Sequence, residues 1–478
     1  MDKDRQPQVL PSQYLRKSFP FSPTDGQAKF FAKMDGFLFQ KVEDSPVFVL
    51  KGYAGTGKTS VISALVKVLP KFGLRSLLLA PTGRAAKVMS NYSGRNAFTI
   101  HKIIYKPKGE DGSLSGGFIL QKNYFKNTVF IVDESSMLSD DGGMSGTLLG
   151  DLIRYVFGGE GNRLLLLGDT AQLPPVGSTL SPALDPGYLQ RQYRLQPEHI
   201  ELSEVMRQEL ESGILFNATA LRNQLSKEPP VIHIQTAGFK DIFRMTGERL
   251  EDGIRYAYNK YGSENSVVIT RSNKAAVQYN QYIRRVVHFF DEEIDSGDLI
   301  MIVKNNYTYM QESETVNFLA NGDMAEVMKI RRFEEMYGLR FATLEIRLLD
   351  YPDEPHLEAK VILDTLHSDT PALTREQYRE LYRQVSEDYA DVERKVERQE
   401  LIRKDPYLNA LQIKFAYALT CHKAQGGQWE SVFVDQGYVP QEQVDTDFTR
   451  WLYTAVTRAK QELFLVNFAS AFFGGNVE

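Results

Sequence analysis

The chain has 478 residues, 42% hydrophobic and 24% charged, which suits a globular protein of about three domains on a prior of ~150 residues each. A net charge of −5 excludes a globally basic nucleic-acid binder and leaves any such surface to a local groove. A single cysteine, Cys421, excludes an intramolecular disulfide and a cysteine metal cluster; no run of about 18 apolar residues offers a membrane helix, and the polar start lacks a signal peptide's apolar core, all of which fits a reducing cytoplasm.

Residues 1–23 carry four prolines and are expected to run extended. Thr24-Asp25-Gly26-Gln27 then opens a helix whose Phe30, Phe31, Met34, Phe37 and Leu38 recur at helical spacing, a core stripe. Gln27 is either an ordinary surface residue of the first turn or an amide placed to meet a base edge. Val47–Leu50 is a short buried strand. Gly52-Tyr53-Ala54-Gly55-Thr56-Gly57-Lys58-Thr59 follows, matching G-x-x-x-x-G-K-[ST] at every fixed position, and Ser60–Leu69 continues as a helix. Glycines let the loop's N–H groups turn toward phosphate oxygens, and the helix N-terminus adds positive potential. Lys58 is placed to reach the β- and γ-phosphates and Thr59 to ligate Mg²⁺. The chain therefore binds a nucleoside triphosphate at Gly52, Gly55, Thr56, Gly57, Lys58, Thr59 and Ser60.

A second buried strand, Ser76–Ala80, ends in Pro81-Thr82-Gly83-Arg84-Ala85-Ala86-Lys87. The short element 97–104 contains Thr99-Ile100-His101-Lys102, and the glycine-rich segment 105–125 breaks the pattern as a hairpin or loop. Asn127–Val132 delivers Asp133-Glu134, and Arg163–Leu167 delivers Gly168-Asp169-Thr170-Ala171-Gln172. An aspartate there suits a Mg²⁺ shell, an adjacent glutamate can polarise water, and Gln172 can hydrogen-bond the γ-phosphate. Short apolar strands alternating with helices predict a doubly wound parallel sheet with its chemistry at the C-terminal strand edge.

A second α/β unit begins at Ser266–Thr270 and resumes with Glu430–Val434 and Glu462–Val466, with Thr420-Cys421-His422 and Thr457-Arg458 between. It is split by an insertion whose β-like pieces suit a small barrel. Within that insertion 374–404 is expected to form one long charged helix with a stripe of Tyr378, Leu381, Tyr382, Val385, Tyr389, Val392 and Val396. The stripe serves either to dock one face of a solvated helix or as an arm that meets a strand or partner. Arg207 and Arg458 are candidates to place positive charge on a phosphoryl transition state.

The ordered set GYAGTGKTS, APTGRAAK, TIHKI, IVDESSM, LLGDTAQLPPV, LSEVMRQ, LTCHKAQG, YTAVTRAK resembles a superfamily 1 helicase of the 5′-to-3′ (1B) branch, RecD-like or Dda-like. The resemblance implies two RecA-like cores. The first is expected at 1–195 with the 105–125 hairpin, and the second at 196–296 and 412–478, interrupted at 297–411 by an SH3-like barrel with the charged helix. It implies ATP and Mg²⁺ as cofactors, with Gln27 reading adenine, Thr59 and Asp133 at the metal, Glu134 as catalytic base, Gln172 as γ-phosphate sensor, and Arg207 and Arg458 as arginine fingers beside Lys58. Pro81, Thr82, Thr99, His101, Thr420 and His422 are implied on a single-stranded DNA path, tracked without sequence readout. Implied partners are single-stranded DNA and single/double-strand junctions, and the enzyme is expected to act as a monomer. A strand translocase or motor subunit without unwinding of its own, and an RNA-acting remodeller of the same branch, are the other readings. The chain departs from the RecD-like pattern at Gln428, where a glutamate is usual.

Overall fold

A computed structural model describes residues 9–41, 45–107, 118–140, 147–175, 177–206, 211–306, 308–310, 318–440 and 444–473. The first core is built on the strand Val47–Gly52, whose Val47, Phe48, Val49 and Leu50 are all fully buried. A residue buried on both faces of a sheet needs apolar side chains without alternation, as parallel sheets do. Six parallel strands run in the order Ala97–Thr99, Arg75–Ala80, Thr128–Val132, Arg163–Gly168, Val47–Gly52, Glu198–Leu202. The outermost strand, Glu198–Leu202, alternates half-buried and exposed positions up to the buried Leu202, as an edge does. Because it pairs with Val47–Gly52, the first sheet runs past residue 195, where the sequence suggested a boundary.

The lead-in is also not extended throughout. Pro11–Ser18 is a helix, started by a proline at its first position, whose missing N–H costs nothing there, and anchored by the fully buried Leu15. The helix Asp25–Phe37 carries the expected core stripe, with Phe30, Phe31, Met34 and Phe37 fully buried. Tyr105–Pro107 and Phe118–Leu120 pair as an antiparallel ribbon at the predicted hairpin, whose tip, 108–117, lies outside the described residues.

The second core has five parallel strands in the order Ala418–Thr420, Ser266–Thr270, Trp429–Asp435, Ala459–Val466, Ile242–Met245. Between its parts sits a closed barrel of Leu299–Ile302, Met324–Met336, Leu339–Leu348, Leu357–Ile362 and Leu411–Phe415. Four of its five pairings are antiparallel. Only Leu357–Ile362 and Leu411–Phe415 run parallel, which requires the long connection between them. The architecture is the expected one: two RecA-like parallel-sheet cores, a hairpin in the first and a small barrel in the second. The barrel's closing strand extends past the suggested limit at 411.

The charged segment is two helices, Arg375–Asp388 and Lys395–Lys404, and not one. Leu381 and Val385 bury against Leu339, Phe341 and Ile362 of the barrel, but the stripe fails beyond Tyr389. There the Tyr389 ring joins that cluster, its hydroxyl donates to Asp405 Oδ2 at 3.0 Å, and Val396 is left 73% exposed. No helix among the described residues is long and apolar enough to cross a membrane.

Candidate active site between the two cores

The helix Lys58–Val68 begins at Gly57, in the left-handed region (φ 75°), with no side-chain cap. The other long helices of the first core begin on hydroxyl caps, Thr24, Thr82 and Thr147. The bare start leaves the first-turn N–H groups facing the cleft, the arrangement that binds a phosphate. Gly55 (φ 72°) supplies the other left-handed bend of the loop. Lys58 Nζ folds back onto the carbonyl oxygens of Gly52 and Tyr53, the latter at 2.9 Å, and its stem leaves no room for a Cβ at Gly52.

Gln27 is not a surface residue. It is 1% exposed, its Oε1 accepts from Thr24 N at 3.0 Å, and its Nε2 donates to Thr56 O at 3.0 Å, so it braces the loop from behind. Thr56 is likewise buried behind the loop.

In front of the loop lies a cleft of about 900 Å³, lined by Gly55, Gly57, Lys58, Thr59 and Ser60 together with Asp133, Glu134, Gln172 and Arg458. Asp133 Oδ2 accepts from Tyr92 OH at 2.7 Å, and Oδ1 accepts from Glu134 N at 2.8 Å. Glu134 sits in the left-handed region (φ 49°), a costly conformation for a non-glycine residue that turns its carboxylate into the cleft. Its side chain keeps 22% of its surface open. Burial of the rest raises its pKa; Arg458 and Lys58 pull it back, while Asp133 and Asp169 push it further up. The set Thr59 hydroxyl, Asp133, Glu134 and Asp169 offers only hard oxygen donors, which fits Mg²⁺ and not a soft metal.

Arg458 comes from the other core. It is 3% exposed and donates to Thr454 O at 3.1 Å and Gly427 O at 3.2 Å, with Nη1 3.9 Å from Glu134 Oε1. Both residues are legible in the sequence, and folding brings them together. Gln172 reaches the cleft with an unpartnered, buried Oε1. Arg207 lies outside the described residues.

The six residues assigned to a nucleic-acid path stand elsewhere, at strand ends of the two sheets. Thr82 follows Arg75–Ala80 and caps the helix Gly83–Ser93; Thr99 caps Ile100–Ile104; Thr420 begins Cys421–Ala424. Pro81 precedes Thr82, while burial lowers the pKa of His101 and of His422 and keeps both neutral at pH 7.

Sequence reasoning missed the residues that join the cores. Tyr453 OH accepts from Ala54 N at 3.0 Å, Leu173 N donates to Thr454 Oγ1 at 2.9 Å, Gln425 Nε2 donates to Leu173 O at 2.7 Å, and Arg450 donates to Thr170 O. All four partners from the second core lie in or beside motifs already noted, LTCHKAQG and YTAVTRAK, which were the available signal.

Residues 38–228 match a family model described as an AAA domain, and residues 415–466 match one described as a UvrD-like helicase C-terminal domain. The chain is similar to an uncharacterised protein of Acanthamoeba polyphaga mimivirus, 26% identical over 502 residues that cover 87% of this chain and 94% of the relative. It is similar to the ATP-dependent RecD2 DNA helicase of Deinococcus radiodurans, 25% identical over 438 residues, and spans 88% of itself but 47% of that protein. It is also similar to the ATP-dependent DNA helicase dda of Enterobacteria phage T4, 23% identical over 475 residues, 93% and 99% of the two chains. Among solved structures, a Bacteroides Pif1 helicase in complex with ADP-AlF3 and ssDNA is 15% identical over 95% of each chain, with a TM-score of 0.47.

Proposed function

We infer that this chain is a superfamily 1B helicase, an ATP-driven DNA helicase that moves 5′ to 3′ on single-stranded DNA and unwinds duplex; the order of its motifs and its similarity to an AAA domain and a UvrD-like helicase C-terminal domain support this reading. The observation that carries the reading is the composite cleft: Lys58 and Glu134 from one core face Arg458 from the other, with Arg458 and Glu134 3.9 Å apart. Such a site is complete only when the cores are closed, so hydrolysis and relative core movement are one event. Both walls come from one chain, which supports a working monomer.

In this reading Lys58 and the bare N–H groups of the loop hold the β- and γ-phosphates. Thr59 and Asp133 would hold Mg²⁺, which neutralises phosphate charge when bound. Glu134 accepts the proton of the attacking water, Gln172 aligns that water against the γ-phosphate, and Arg458, with Arg207, stabilises charge in the transition state. Gln27 is assigned to the adenine, for which its amide would have to exchange its bond to Thr56 O. Loss of the γ-phosphate releases Arg458 and lets the cores part. Pro81, Thr82, Thr99 and His101 on one core and Thr420 and His422 on the other then exchange grips on the DNA backbone, and the hairpin at 105–125 splits the junction.

The test is unwinding of two forked DNA substrates, one with only a 5′ tail and one with only a 3′ tail. Unwinding from the 5′ tail alone is expected. Unwinding from the 3′ tail alone overturns the polarity. DNA-stimulated hydrolysis without unwinding makes the protein a translocase, and stimulation by RNA in preference to DNA makes it an RNA remodeller.

A further inference from the structure

Arg84 lines the cleft, yet neither the phosphate site nor the proposed DNA path assigns it a task. It is the second residue of the helix Gly83–Ser93, two positions after the Thr82 cap. Its side chain leaves its own core. The guanidinium carbon lies 4.0 Å from the Trp429 ring centroid, Nη2 donates to Gln428 O at 3.2 Å, and Nη1 faces Met324 Sδ of the barrel. Trp429 is 1% exposed, and a cation over an indole binds most strongly where both are out of water.

The loop that Arg84 grips also holds Arg458. Trp429 N donates to Arg458 O at 3.0 Å, and Gly427 O accepts from Arg458 Nη1 at 3.2 Å. That same Nη1 is the atom 3.9 Å from Glu134. The backbone here lies flush on the first core. A Cβ at Gly427 would stand 2.5 Å from the Trp429 ring and 3.1 Å from Arg84 Cδ. One at Gly426 (φ 73°) would stand 2.9 Å from Ala85 Cβ and 3.2 Å from Thr82 Oγ1. A side chain at Gly426 would press on the first core, and one at Gly427 would displace the Trp429 ring on which Arg84 stacks.

We propose that Arg84 is a positioning residue that couples the strand-end segment Pro81–Thr82 to the Arg458 loop, so that DNA held at that segment sets Arg458 against the γ-phosphate. The proposal rests on the helicase reading above and adds to it a physical route from DNA to hydrolysis. The route is short: Thr82, the helix start, Arg84, the Trp429 ring and Gln428 carbonyl, Gly427 and Arg458. Each link is a contact between rigid or glycine-packed groups, so displacement of Thr82 is transmitted to Arg458 and not absorbed. The planar fork is required because one guanidinium stacks on the ring and donates to the carbonyl at once, which a lysine ammonium does not reproduce.

The experiment uses the full chain with W451F, which leaves Trp429 as the single tryptophan. Steady-state ATP hydrolysis is measured with and without an oligo-dT strand, for the parent, R84Q and R84K, alongside Trp429 emission on adding a non-hydrolysable ATP analogue and the strand. In R84Q the DNA-stimulated kcat is expected to fall about tenfold while KM for ATP stays within about twofold, the split that marks a contact made in the activated state. The ligand-induced change in Trp429 emission is expected to vanish with it, and R84K to restore less than half of either. R84Q with DNA stimulation and emission change equal to the parent overturns the inference and leaves the helicase reading standing. A parent without ATP hydrolysis overturns both. If R84Q does not fold by circular dichroism, R84K, which keeps the charge and the stem, decides: parent-like stimulation in R84K overturns the proposal.

Discussion

The Tyr453 hydroxyl donates to Asp169 Oδ2 at 2.6 Å while accepting the Ala54 N–H of the phosphate loop at 3.0 Å. One phenol thus pins the second core to both the loop and the strand end that carries Gln172. Tyr453 is 1% exposed, so the bonds are shielded from water. Tyr453→Phe removes a hydrogen bond to a charged group worth roughly 1.5–3 kcal/mol. The expected outcome is a fall of about tenfold or more in kcat/KM for ATP with an unchanged circular dichroism spectrum. Unchanged kinetics would show that the bridge is absent from the reacting state.

Lys58→Ala removes the loop's charge. Its contacts to Gly52 and Tyr53 carbonyls are local to the loop, so the fold is expected to survive. Loss of a preorganised cation at the phosphates lowers kcat by roughly 10²–10³-fold. Phosphate release measured at saturating ATP checks this, and normal turnover would refute the site.

Glu134 carries a pH dependence of definite sign. Burial raises its pKa, so protonation begins above the ordinary carboxylate range as pH falls. The protonated acid cannot take a proton from water. The acid limb of the kcat/KM profile is therefore expected to lie above the usual glutamate range, with activity rising as pH rises through it. Glu134→Gln should abolish hydrolysis at every pH; a Gln variant retaining the same limb would assign the titration to another group.

Arg284 and Asp298 form an ion pair at 2.8 Å, with side chains 5% and 0% exposed, where the second core passes into the barrel. Arg284 also meets Asp295 Oδ2 at 3.0 Å, and Tyr417 OH donates to Asp298 Oδ1 at 3.0 Å. Arg284→Met strands a buried carboxylate, which typically costs about 3–5 kcal/mol. Urea unfolding followed by fluorescence is expected to show that loss; a midpoint equal to the parent would mean that water or relaxation compensates the carboxylate.

The strands around the loop were legible because each is a run of apolar residues buried on both faces, and a central parallel strand admits little else. The loop, Asp133 and Glu134 were legible because the sequence places them directly after such strands. The edge strand Glu198–Leu202 was not, since three of its five positions are polar and nothing local distinguishes it from a linker. The charged segment failed as one helix because its stripe is set by the barrel cluster up to Tyr389 and by nothing after it.

Sequence by itself determined a phosphate-binding loop, an acid pair, a second α/β unit with its own arginine, and a barrel between, because strands, turns and loop chemistry are dictated by neighbours within a few residues. What only the tertiary structure decided is how these meet. Tyr453 and Ala54 are 399 positions apart, and Arg84 stacks on a tryptophan in a different core. Such contacts depend on the complementarity of two assembled surfaces, and no periodicity within either segment encodes the distance between them.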